Sequence, residues 1–409
     1  MEQAREKQGQ ANLQGNMQGA QSMNVTPQQQ QYQAQQAKNL QPSTINPLYQ
    51  RVPENEADAM AWVFEGPDKI EKYFYRFPPL APKDVRVRVL YSGICKLDVE
   101  KGRGQIEGVR YPFCGGEEIV GEVVAIGKEV STVKVHDKVL LGAVRDSCNN
   151  CEMCKMGETS LCYKLPEEER QNINGKYFGG YSTHVQQPES HIFKLPDGIN
   201  PEVAAPLMTA GIAVYRPLMK YGKKNFNVGM IGVGSLGHLA IKFARAMGMN
   251  VDAMISKEAI DKYHDILNLG VDKIIEWDDE HCMKLAQNTY DMLLYMLPVA
   301  LSADDMNKLM LTLKPMGRFI VIGLPPQDQK FEVSFMPVVL HDIQIIGTFG
   351  GGYKDTQSML NFVKSNKIEA DCEFFEFDDF PKAIERVEKG HPRFTVVLRV
   401  DQVSRRFKQ

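Results

Sequence analysis

Residues 226–248 read FNVGMIGVGSLGHLAIKFARAMG, and the fold turns on this stretch. Phe226 to Ile231 form a short apolar run, dense enough for a strand buried on both faces. Gly232-Val233-Gly234-Ser235-Leu236-Gly237 follows as G-x-G-x-x-G, and Leu239, Ile241, Phe243 and Ala246 then recur at mostly helical spacing. A strand, a glycine turn and a helix in that order make half of a dinucleotide-binding unit. The first glycine serves the tight turn. The second lets the backbone approach a pyrophosphate at the helix N-terminus, and the third lets helix and sheet pack closely.

Downstream, VDAMIS (251–256) is a second strand and EAIDKYHDILNLG (258–270) a second helix stopped by Gly270; DKIIEW, DMLLYML and RFIVIG read as further strands. Apolar strands alternating with helices predict a doubly wound parallel sheet in an α/β fold, over residues 207–347. Nucleotide-binding chains of this kind place an acid for the ribose 2'-hydroxyl about twenty residues past the glycines. Here that place holds Ser256 and Lys257, a hydroxyl and a cation suited to a 2'-phosphate, so NADP(H) is expected over NAD, although Glu258 lies close by.

Upstream, residues 55–206 are strand-rich. DVRVRVLYSGI (84–94) alternates apolar and charged residues as a half-buried strand does, and IVGEVVAIG and KVLLGAV are similar. Within this region RDSCNNCEMCKMGETSLC carries Cys148, Cys151, Cys154 and Cys162. In a long chain without a secretory signal this spacing points to a structural zinc site, closed by four thiolates and hence without chemistry of its own. Residues 348–409 return to mixed helix and strand. Residues 1–54 are a separate Gln-rich tail of low complexity: fifteen of the first fifty residues are Gln, a composition that favours disorder.

Charge excludes several partners. With 48 basic against 51 acidic residues there is no basic excess for nucleic acid. No apolar run approaches the ~18 residues of a membrane span. The N-terminus has neither a secretory core nor a transit-peptide composition, so the expected location is cytoplasmic.

Taken in order, GICKLDVEKG (93–102), YPFCGGEEIVGEVVAIGKEV (111–130), the cysteine loop, YFGGYSTHV (177–185), AAPLMTAGIAVYRPL (204–218), the glycine fingerprint and GTFGGGYKDTQSMLNF (347–362) resemble the zinc-containing medium-chain alcohol dehydrogenases, specifically their cinnamyl-alcohol-dehydrogenase-like branch. The resemblance covers about residues 58–402. It implies a GroES-like substrate domain and a Rossmann domain with the active site between them. It also implies a small-molecule alcohol or carbonyl substrate, a homodimer, and Gly323 beside the cofactor. A second, catalytic zinc would be held by a Cys, a His, in some states a Glu, and another Cys. Cys95 and Glu118 stand at two of these places, but the His has become Glu117 and the second Cys Thr209. Leu97 replaces the hydroxyl that relays the proton; Asp98, the acid behind the ligands, is retained, and Lys96 keeps the positive charge that faces the pyrophosphate. Two carboxylates and a thiolate would leave a zinc site at net −1 and weaken its pull on a carbonyl. Leu97 cannot carry a proton. The implied catalytic zinc is therefore expected to be lost while the structural one is kept.

Cys114, His184, Tyr111 and Tyr181 are candidate substitutes, though each residue type more commonly packs or anchors, and Met208 is expected on the cleft wall. Two functions follow. One is NADP(H)-dependent reduction of aldehydes or conjugated enals, the latter needing less help at the carbonyl oxygen. The other is an inactive enzyme fold serving as a subunit of a large assembly, for example cytoskeletal or ciliary, through its tail.

Overall fold

The computed structural model describes residues 49–166, 177–325, 329–390 and 392–407. The Gln-rich tail, and whatever it contacts, lies outside them up to residue 48.

The chain opens with an antiparallel ribbon, β1 (Ala59–Gly66) and β2 (Lys69–Tyr75). Trp62 pins it to the far end of the chain, its Nε1–H donating to the Phe377 carbonyl at 2.8 Å and its ring stacking on Phe380. A seven-stranded sheet follows; five of its strands are β3 (Asp84–Ile94), β4 (Glu118–Ile126), β5 (Lys138–Leu141), β6 (His184–Pro188) and β7 (Ile192–Lys194), and the other two come from the end of the chain. β3 spans the predicted stretch, but it is more than half-buried. Val85, Val87 and Val89 face one core, and the charged face is covered too. Arg88 is 4% exposed, its guanidinium held by Glu122 at 2.7 Å and by Asp401 of the helix Asp401–Ser404. Alternating charge here marks a paired interior rather than solvent.

Next come β8 (Asn227–Ile231), β9 (Asn250–Ile255), β10 (Lys273–Glu276), β11 (Tyr290–Tyr295), β12 (Leu313–Val321) and β13 (Gln344–Gly347). Their order is β10-β9-β8-β11-β12-β13, and every pairing is parallel. The order reverses between β8 and β11, where a ligand crevice opens at the carboxyl ends of such a sheet. The helix Ser235–Ala246 buries Leu239, Ile241 and Phe243 as expected, with Ala244 rather than Ala246 completing the stripe.

The single helix expected over 258–270 is instead a 3-10 turn, Lys257–Lys262, followed by the short helix Tyr263–Asn268, and Gly270 ends it at φ +89°. Ile260 and Tyr263 stay exposed and only Ile266 is buried in that short helix, so no apolar stripe favours one continuous helix. The helix Tyr353–Asn366 buries Met359, Leu360 and Val363 in the same core as the helix Ala210–Tyr221. Only then does the chain rejoin the first sheet, as β14 (Cys372–Glu376) and β15 (Thr395–Arg399), with β15 antiparallel to β3.

His238 ties the two halves together. Its Nδ1–H donates to the Gly234 carbonyl at 3.2 Å, its Nε2 accepts the Asp371 N–H at 3.3 Å, and its ring stacks on Phe394. Both nitrogens are committed to the neutral form, and burial holds the imidazole down to about 4. An unfolded histidine titrates near ~6.5, so the unfolded chain takes up the proton first as pH falls. Nothing is lost above about pH 6.5, and stability drains away between there and about 4. Urea melts at about pH 7.5 and 5 should show His238→Gln losing roughly 2 kcal/mol less than the native chain across that interval.

Candidate active-site cleft and metal lobe

One cleft of about 560 Å³ runs from the ends of β8 and β9 to the start of the helix Lys96–Gly102. At the end beside β8 the three glycines of the fingerprint have different surroundings. Gly232 has φ +89°. A Cβ on Gly234 would meet nothing within 4 Å, which leaves the backbone open to a ligand, whereas one on Gly237 would lie 2.3 Å from the Gly232 carbonyl oxygen. Gly234 caps the helix Ser235–Ala246, so the helix N-terminus faces the cleft with its unpaired N–H groups. Ser235 shares a hydrogen bond with Thr395 at 2.9 Å, and Leu236 and Gly323 line the same wall.

Ser256 lines the cleft, but Lys257 does not; the 3-10 turn carries its ammonium outward to 3.7 Å from Asp279. The same turn brings in Lys262, only 7% exposed, with no ion pair to any described residue. Lys262 was not singled out from sequence, because a regular helix would not have aimed it here.

At the reaction end, Cys95 precedes the helix Lys96–Gly102 and lines the cleft with Lys96, Leu97, Glu117, Glu118, Met208 and Thr209. Burial, then Glu117 and Glu118, push the Cys95 thiol well above its usual range. Lys96 is exposed and reaches Glu100 at 3.6 Å. Asp98 sits behind the wall, its Oδ2 accepting the N–H groups of Gly116 and Glu117 at 2.8 and 2.9 Å, and burial raises its carboxyl to about 6. Glu118 accepts the Ala210 N–H at 3.3 Å; burial and the neighbouring Glu117 push it up to about 8. Glu118 Oε2, Glu117 Oε1 and Thr209 Oγ1 are buried without a hydrogen-bond partner among the described residues.

Lys101, which sequence reasoning passed over, is 3% exposed and sets its Nζ 3.2 Å from Glu117 Oε2 and 3.7 Å from Asp98 Oδ1. The signal was available: Lys101 lies three residues beyond Asp98 on one helix, and an acid newly placed at 117 calls for a cation. Arg145, also buried, braces the same loop by donating to the Gly116 carbonyl at 2.9 Å.

The other candidates lie elsewhere. Cys114 is buried against the Gly115 and Gly179 carbonyls. His184 packs edge-on to Phe77, Tyr181 packs on Phe380, and Tyr111 donates to the Gly102 carbonyl. None of the four lines the cleft.

Cys148, Cys151, Cys154 and Cys162 bring their sulfurs within 4.8 Å of one another. Three of the separations are 3.4, 3.9 and 4.0 Å. Tetrahedral Zn–S bonds of ~2.3 Å require sulfurs about 3.8 Å apart, so the donor set fits zinc. Backbone N–H groups of Cys151 and Cys148 point at the Cys148 and Cys162 sulfurs, as thiolates require. Among the described residues this is the only group of three or more Cys, His, Asp or Glu whose donors converge in this way. The lobe is docked firmly. Arg216 reaches from the helix Ala210–Tyr221 to Glu158 at 2.8 Å and Asp355 at 3.0 Å, and Gly352 lies so close that a Cβ would fall 1.7 Å from the Gly157 carbonyl oxygen.

Comparison with known proteins agrees with this architecture. Residues 81–197 match the alcohol dehydrogenase GroES-like domain and residues 235–365 the zinc-binding dehydrogenase domain. Alcohol dehydrogenase 9 of Catharanthus roseus is 34% identical over 322 residues, 78% of this chain and 87% of its own. Probable cinnamyl alcohol dehydrogenase 1 of Eucalyptus gunnii is 32% identical over 356 residues, 85% of this chain and 97% of its own. A solved cinnamyl alcohol dehydrogenase from Sorghum bicolor superposes with a TM-score of 0.77 at 29% identity, covering 84% of this chain and 98% of that one. One from Helicobacter pylori, complexed with NADP(H), gives 0.75 at 27%, covering 85% and 99%. Fold, cleft and relatives together define an alcohol dehydrogenase-like oxidoreductase. The chain belongs to the zinc-type medium-chain alcohol dehydrogenases, in their cinnamyl-alcohol-dehydrogenase-like branch.

A donor set that fits zinc makes a direct prediction for the cysteine lobe. Cys151→Ser should release that zinc, measured by elemental analysis, and lower the thermal midpoint by roughly 10 °C.

Proposed function

We propose that this chain is an NADP(H)-dependent reductase of aldehydes or conjugated enals that works without a catalytic zinc. What carries the proposal is the make-up of one cleft. Its nucleotide end presents the open Gly234 backbone, Ser256 and Lys262, and its reaction end carries Leu97, Glu117 and Thr209 where a zinc site would need a relay and ligands. The ammonium of Lys262 and the hydroxyl of Ser256 would bind a 2'-phosphate, and the helix N-terminus after Gly234 the pyrophosphate. A nicotinamide bound there would supply hydride. Cys95 and Glu118 remain, but Glu117 is engaged by Lys101, and these donors do not converge as the four cysteines do. The Thr209 hydroxyl, buried and without a partner at the cleft wall, is a hydrogen-bond donor for a substrate oxygen. Phe193 and Tyr353, stacked 5.0 Å apart, together with Met208 and Phe349 give the cleft an apolar lining suited to an aromatic or unsaturated chain.

The alternative, an inactive dehydrogenase fold serving as an assembly subunit through its tail, draws on the same Leu97, Glu117 and Thr209 and on a tail outside the described residues; the open cleft and the alcohol dehydrogenase relatives favour the reductase. No described helix is long and apolar enough to cross a membrane; we place the protein in the cytoplasm. A homodimer fits the free edge of the parallel sheet. On β13 Gln344 and Ile345 are exposed, and beside it the helix Phe335–Leu340 exposes Phe335, Met336, Val339 and Leu340 at 65–86%. An open strand edge beside such an apolar patch is a surface that pairing with a second copy would cover.

Two measurements test these points. Fluorescence titration of Lys262→Glu should show NADPH affinity reduced at least ~10-fold and NADH affinity little changed, since one charge-assisted phosphate contact is at stake. Absence of saturable NADPH binding to the native chain would overturn the cofactor assignment. Val339→Asp should convert a dimer to a monomer in analytical ultracentrifugation.

A further inference from the structure

We propose that the ammonium group of Lys101 takes over the charge of the missing catalytic zinc and bars a divalent metal from this pocket. The inference rests on the zinc-free reading given under the proposed function and goes beyond it by naming what replaced the ion.

Lysine is almost never fully buried unless paired, and Lys101 is 3% exposed. Its partners are the two carboxylates at 3.2 and 3.7 Å, Glu117 and Asp98. Asp98 is fixed by the N–H groups of Gly116 and Glu117. The loop carrying those N–H groups is itself held by Arg145, through the Gly116 carbonyl. The ammonium thus sits inside a rigid cradle of buried charge.

The residue changes make sense together. A neutral His at position 117 would leave Lys101 facing Asp98 alone, whereas Glu117 supplies a second negative group. A zinc ion on Glu117 would in turn share one carboxylate with a fixed cation. Inside a protein that like-charge repulsion is poorly screened. Of the remaining donors, Glu118 already accepts the Ala210 N–H through one oxygen and Thr209 is a poor zinc ligand, which leaves Cys95 and the other Glu118 oxygen as the only strong donors free for an ion. Lys101 does not line the main cleft, so it acts through Glu117 as a positioning residue, holding Oε2 and leaving Oε1 buried without a partner.

The experiment compares three proteins purified with their structural zinc: the native chain, Glu117→His/Thr209→Cys, and Glu117→His/Thr209→Cys/Lys101→Met. Zinc is counted per chain, and Co2+ is titrated in, with its ligand-field absorption as the readout. The native chain should hold one zinc. The triple variant should gain a second metal site, and the double variant, which keeps Lys101, should bind Co2+ at least ~100-fold more weakly than the triple. Equal affinity in double and triple variants, or a triple variant that still holds one metal, overturns the role of Lys101 and leaves the zinc-free reading standing. Two zinc ions in the native chain overturn both. Should the triple variant not fold, a urea cycle of Lys101→Met, Glu117→Gln and their combination decides. The combination should recover most of the stability that each single change removes, and simple additivity would refute the pairing.

Discussion

A carbonyl oxygen 2.3 Å from where a Cβ on Gly237 would stand is the constraint on which the nucleotide half depends. It binds the helix Ser235–Ala246 to the turn after β8, so that the helix begins where the strand order reverses. Gly323 repeats the device one strand over. Its own Cβ would fall 2.1 Å from the Leu297 carbonyl oxygen, and this fixes the loops after β11 and β12 against each other. The crevice is a consequence of close backbone packing, and side chains only trim it.

Electrostatics governs the opposite end. Asp98, Lys101, Glu117, Glu118 and Arg145 are all buried within one region. Removing charges from water is costly, and the cost is met only where each charge has a counter-charge or a hydrogen bond. Lys101 with Glu117, Asp98 with two N–H groups, and Arg145 with the Gly116 carbonyl and Gln187 satisfy that rule without an ion. Among the described residues, the oxygens left without a partner here belong to Glu117, Glu118, Thr209 and Tyr181, and the first three residues line the cleft. Buried polar atoms left open in this way mark where a ligand would complete the set.

Local pattern was enough to read β3, β8 and β9, the glycine turn and the four-cysteine lobe, because in each case chemistry and spacing are set by neighbours in the chain. Long-range packing was not legible. Arg88 looked like a solvent residue until Glu122 and the distant Asp401 closed over it. Lys257 stood out by its distance from the glycines, but the 3-10 turn that replaces the start of the expected helix carries Lys257 outward and brings Lys262 to the cleft beside Ser256. Lys101 was missed for a related reason. A lysine in a helix reads as a surface residue until the acid facing it, sixteen positions away, is known to be buried with it.

The Arg216 triad gives the cysteine lobe a reach that four sulfurs alone would lack. The lobe abuts Gly352 and, through Arg216, the helix that begins at Tyr353, and Gly350 to Gly352 form part of the cleft wall. The four-cysteine loop therefore acts as a keystone. Its collapse would loosen the floor beneath the substrate, and a remote ion with no part in the chemistry would still set the shape in which that chemistry takes place.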